Sequence, residues 1–108
     1  MATSILLVDN DQQLTALVKS LLVGRGHEVT HFESGKDAID SLTRAKPDLI
    51  IVSEQLADID GVGWIIKLRQ VNRDTKVVFI SSKWRGTDLY QQLTKDFGVS
   101  LVVHRPLK

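Results

Sequence analysis

Leu49-Ile50-Ile51-Val52, bracketed by Pro47-Asp48 and Ser53-Glu54, is a short and solidly apolar run. Such a run reads as a strand covered on both faces, the habit of parallel sheets. Three more runs share its character: Ile5-Leu6-Leu7-Val8, Val77-Val78-Phe79-Ile80 and Leu101-Val102-Val103. A fifth, Glu28-Val29-Thr30-His31-Phe32, is half polar and reads as an edge strand.

Between the runs the apolar period lengthens. Leu14, Leu17, Val18, Leu21 and Leu22 form one helical stripe, with Asp11 as its cap and Gly24 and Gly26 as stops. Ala38, Ile39 and Leu42 form a second after Ser34-Gly35, and Val62, Ile65, Ile66, Leu68 and Val71 a third after Asp60-Gly61. Leu89, Leu93 and Phe97 form a fourth, closed by Gly98. Strict alternation of strand and helix predicts a three-layer, doubly wound α/β fold with a five-stranded parallel sheet.

The 108 residues, 43% hydrophobic and 25% charged, fit one globular domain with a core of its own. With 14 Lys+Arg against 13 Asp+Glu, scattered along the chain, a nucleic-acid surface is not expected. There is no cysteine, so disulfides and thiolate metal sites are excluded. No run reaches the roughly 18 apolar residues of a membrane span, and the start lacks the charged region of a secretory signal, so a cytoplasmic setting is expected.

In parallel sheets chemistry gathers where strands end. Here those ends carry Asp9-Asn10-Asp11, Ser53-Glu54, Ser81-Ser82-Lys83 and His104-Arg105-Pro106. Carboxylates suit a hard divalent cation, while a hydroxyl and a cation suit phosphate oxygens. Asp and Ser also cap helices and end strands without further purpose. It is the agreement of four strand ends on one rim that points to a site.

Together, Ile5 to Asp11, Pro47 to Val52 with Asp58-Ile59-Asp60-Gly61, Val77 to Ser82, and Arg105-Pro106 make the sequence resemble a receiver domain of two-component response regulators. The resemblance covers nearly the whole chain. It implies strand order 2-1-3-4-5, signalling rather than enzymatic activity, and partners such as an output domain, a histidine kinase or another signalling protein. It also implies that residues 1–108 are the N-terminal part of a longer signalling protein, stopping where a fifth helix would begin. A homodimer is among the assemblies such domains form.

The departures from the family pattern bear on function. Ser53 stands where the resemblance places the phosphoacceptor aspartate, and a serine cannot form an acyl phosphate. Serine is also a poor nucleophile without an adjacent base. Glu54 carries a carboxylate, but neighbouring strand residues point to opposite sides, so it does not simply replace the missing acid. Asn10 replaces an acid of the magnesium-holding pair, leaving Asp9, with Asp11 nearby, and weak magnesium binding at most. Arg105 replaces the family lysine, with a cis bond before Pro106 expected as in the family. Ser81 keeps the hydroxyl position, Val102 replaces a switch aromatic and Ala57 a proline. The pattern is that of a pseudo-receiver acting without phosphorylation. The alternative is a phosphoryl acceptor using Glu54 or Ser53.

Two tryptophans complete the reading. Trp64 is expected in or against the core. Trp84, between Lys83 and Arg85, is either an interface anchor or a cover over the rim. Tyr90 is expected on the exposed side of the fourth helix, as part of an interface with Val102. His27, His31 and His104 lack metal-ligand spacing and read as surface or edge-strand residues.

Overall fold

A computed structural model describes residues 3–81 and 87–104. The chain alternates β1 (Ser4–Val8), α1 (Gln12–Gly24), β2 (Glu28–Phe32), α2 (Gly35–Ser41), β3 (Leu49–Ser53), α3 (Gly61–Val71), β4 (Lys76–Ser81), α4 (Thr87–Asp96) and β5 (Val99–His104). All strand pairings are parallel and the order is β2-β1-β3-β4-β5, as expected.

The sheet has two apolar faces because its central strands alternate side chains between two buried layers. Leu6, Val8, Ile50, Val52, Val77 and Phe79 pack with Ala38, Trp64, Ile65, Leu68, Tyr90 and Leu93 from α2, α3 and α4. Ile5, Leu7, Ile51 and Ile80 pack with Leu14 and Val18 of α1 on the other face. Trp64 lies in the core with no exposed surface, and its indole N–H donates to the Gly35 carbonyl at 2.7 Å.

Helix ends follow the local rules. Asp11, Ser34 and Asp60 cap α1, α2 and α3 through their side-chain oxygens. Past α1, Gly26 takes φ +87, a left-handed turn that favours glycine. Arg69 ties the lower end of the fold: its guanidinium donates to the carbonyls of Phe97 (2.7 Å), Thr75 (2.8 Å), Gly98 (3.2 Å) and Asn72 (3.3 Å).

Three apolar expectations need correction. In α1 only Leu14 and Val18 are buried and Leu22 is half-buried, while Leu17 and Leu21 are exposed. The arc of α1 that touches the sheet is the narrower i, i+4, i+8 line. In α3, Ile66 and Val71 are exposed for the same reason, the inner face running through Trp64, Ile65 and Leu68. In β5, Leu101 is exposed rather than covered, because β5 is an edge strand and Leu101 points away from the layer that Val102 packs against.

Candidate functional site

The carboxyl ends of β1, β3 and β4 meet on one rim. Asp9 follows β1 and is 1% exposed; Ser53 closes β3 at 3%, and Ser81 closes β4 with no exposed surface. Buried polar side chains must find partners, since each unpaired one costs roughly 1–3 kcal/mol. The rim satisfies them internally.

Asp9 is the centre of that arrangement. The Ser53 hydroxyl donates to one carboxylate oxygen at 2.5 Å, and the Thr15 hydroxyl donates to the other at 2.9 Å. The Ser53 Oγ also lies 3.1 Å from the Gln55 carbonyl. A hydroxyl has one proton, and the shorter contact to a charged acceptor is the stronger claim on it. His31 Nε2 sits 2.8 Å from the Asp9 main-chain carbonyl and 3.3 Å from Thr15 Oγ1. A carbonyl can only accept, so His31 carries its proton on Nε2. Asp9 is thereby held from α1, β2 and β3 at once.

The neighbouring rim groups are engaged as well. The Asn10 backbone N–H donates to the Gln55 carbonyl at 3.1 Å, while Asn10 itself is exposed. Asp11 uses Oδ1 to cap α1, accepting from Gln13 and Leu14 backbone N–H groups. Glu54 is buried, its N–H donating to the Ile80 carbonyl and its carbonyl accepting from Gly61. Gly61 is required there: a Cβ would run into the Ser53 carbonyl, a backbone atom that cannot move aside.

The loop after β3 is anchored to α2. Asp58 accepts from Gly35 N–H (2.8 Å), Lys36 N–H (3.1 Å) and the Ser34 hydroxyl (3.1 Å). The Gly35 N–H, followed by that of Lys36, holds its carboxyl below the usual aspartate value. The Ala57 N–H donates to the Glu33 carbonyl at 2.9 Å, a second tie between the same two segments.

Tyr90 corrects the sequence expectation. It is buried, with its hydroxyl 2.9 Å from Ser81 Oγ, so it does not belong to an exposed interface. The inner face of α4 is centred on Tyr90 and Leu93, one residue further round than a stripe led by Leu89. The phenol buries its ring and spends its polar tip on Ser81. Val102 is half-buried against the same core. Trp84, Arg105 and the bond before Pro106 lie outside the described residues.

Thr15 and His31 are site neighbours that sequence reasoning missed. The available signals were weak: Thr15 is a polar residue beside Leu14 on the inner side of α1, and His31 pairs in register with Leu7 near the end of β1.

The profile of the Response regulator receiver domain matches residues 5–108. The chain belongs to the response regulator receiver domain family. This receiver domain is 31% identical over 102 residues to Transcriptional regulatory protein CpxR of Escherichia coli, covering 94% of the chain and 42% of CpxR. It is 27% identical over 101 residues to Chemotaxis protein CheY of Bacillus subtilis, covering 90% of the chain and 84% of CheY. The solved signal receiver domain of a Luxo repressor protein from Vibrio parahaemolyticus superposes with a TM-score of 0.88 at 27% identity, covering 100% of the chain and 82% of that domain. The chain spans less than half the length of several of the curated relatives it matches.

Receiver domains of this family imply a bound magnesium ion, and the residues here are a poor donor set for one. Magnesium demands near-octahedral oxygen geometry anchored by carboxylates. Both oxygens of Asp9 accept hydroxyl protons, position 10 is an amide, and Asp11 caps a helix. Among the described residues no group of three or more His, Cys, Asp or Glu side chains could hold a metal ion. No helix among them is long and apolar enough to cross a membrane.

Proposed function

We propose that this receiver domain is a regulatory interaction module of a two-component signalling protein that works without phosphorylation of its own. The observation that carries the reading is the 2.5 Å hydrogen bond from Ser53 to Asp9. The residue at the acceptor position has no carboxylate to phosphorylate, and its hydroxyl donates to the buried Asp9 carboxylate beside it. What remains is a well-packed scaffold whose rim is internally satisfied.

Its partners are an output domain, a histidine kinase or another signalling protein, met in the cytoplasm. The greater length of the curated relatives supports a place in a longer chain. The near-balanced charge supports protein rather than nucleic-acid contacts through this domain. The surface around α4 and β5 is the proposed contact region, with Tyr90 supporting it from inside.

One contact favours a second reading. Asp9 is placed as a base for Ser53, so Ser53 Oγ could attack the phosphorus of a phosphohistidine, its proton passing to Asp9 as the imidazole leaves. The product is an acid-stable phosphoserine, whereas a Glu54 acceptor gives an acyl phosphate labile to hydroxylamine.

Ser53→Ala in the full-length protein separates the readings. The proposed function predicts regulatory output that does not depend on the cognate kinase, in the wild type and in Ser53→Ala alike. Kinase-dependent output that disappears in Ser53→Ala would overturn it.

A further inference from the structure

The Asp9 carboxylate is enclosed from two directions, and only one of them is the altered acceptor position. Ser53 approaches from β3; Thr15 approaches from the first turns of α1 and takes the second oxygen at 2.9 Å. His31, on the neighbouring edge strand, holds the Asp9 carbonyl at 2.8 Å and stands 3.3 Å from the Thr15 hydroxyl. Each oxygen of that carboxylate thus accepts one hydroxyl proton from the protein. A divalent cation that approaches the oxygen facing Thr15 must compete with that charge-assisted hydrogen bond for the carboxylate's charge, inside a site that is 1% exposed.

We infer that Thr15 is a positioning residue that closes the Asp9 carboxylate against divalent cations, with His31 bracing it. The inference rests on the reading of the rim as internally satisfied, and it goes further. Loss of the acceptor acid is then not the whole reason for a weak metal site. A side chain on α1, away from the acceptor strand, sets the affinity.

The test is a titration of the wild-type protein with Mn²⁺ alone, followed by the loss of the free-ion paramagnetic resonance signal. Thr15→Val and Thr15→Ser are titrated beside it. Valine keeps the shape and removes the donor, and serine keeps the donor. A hydrogen bond to a charged group is worth enough that Thr15→Val should bind Mn²⁺ at least about tenfold more tightly than wild type. Thr15→Ser should bind as wild type does.

Equal weak binding by Thr15→Val and wild type overturns the inference, as does a gain in Thr15→Ser that matches that of Thr15→Val. Should Thr15→Val fail to fold, Thr15→Ala carries the same expectations. Tight one-to-one binding of Mn²⁺ by the wild type overturns it whatever the variants do. Because the readout is metal occupancy, its failure is distinct from a failure of the phosphorylation-independent reading, which is decided by covalent modification.

Discussion

Trp64→Ala is expected to cost about 3–5 kcal/mol of folding stability, the range for removing a large aromatic from a packed core. The side chain has no exposed surface and joins α3 to α2 through its indole N–H on the Gly35 carbonyl. Its ring also lies where a Cβ on Gly35 would have to go, so the two residues are fitted to each other. Alanine leaves a cavity and removes the indole's hydrogen bond to the Gly35 carbonyl. Against a total stability of roughly 5–15 kcal/mol for a domain, most of the margin would be gone. Urea unfolding checks it: the midpoint should fall sharply with little change in slope. Trp64→Phe should lose much less, because it keeps most of the volume. A loss below about 1 kcal/mol in Trp64→Ala would contradict the packing described.

The second large effect concerns Ser53→Asp. The present hydroxyl donates to Asp9 at 2.5 Å inside a buried site. An aspartate there replaces that bond by two carboxylates in contact, and like charges so placed raise the proton affinity of the pair. The sign follows directly. With the folded pair's proton affinity above the unfolded value, stability is greatest at low pH and falls as pH rises past the ordinary aspartate range. In buffer free of divalent ions the variant is expected to be less stable than wild type at pH 7 by about 3 kcal/mol, the scale of an uncompensated buried charge. Much of the difference should vanish near pH 4. A variant as stable as wild type at pH 7 would show that Asp9 is not confined as described.

Much of this architecture was legible in the chain. The solid apolar runs around Leu49 to Val52 and their counterparts became the strands; the alternation predicted a parallel sheet, and the family resemblance implied its order. Asp9, Ser53 and Ser81 were legible as rim residues because strand ends carry the chemistry in such sheets. Less visible was how these groups satisfy one another. Thr15 is one polar residue in an amphipathic helix, and only the distance to Asp9 distinguishes it from a solvated neighbour. His31 reads as an edge-strand residue and is one, yet its ring reaches the Asp9 carbonyl. Tyr90 was misplaced because Leu89, Leu93 and Phe97 define a plausible stripe, and a shift of one position turns the phenol inward. Its pairing with Ser81 is a tertiary fact that periodicity does not encode.

These observations combine into one picture. The chain has the receiver fold, and at its rim Asp9, Ser53 and Thr15 form a buried set of hydroxyl and carboxylate bonds, on which the proposed phosphorylation-independent reading rests. The most direct test is intact mass after incubation with acetyl phosphate or a phosphohistidine donor and Mg²⁺. The account predicts an unchanged mass for the wild-type protein. A stoichiometric gain of about 80 Da, the mass of one added phosphoryl group, would contradict it.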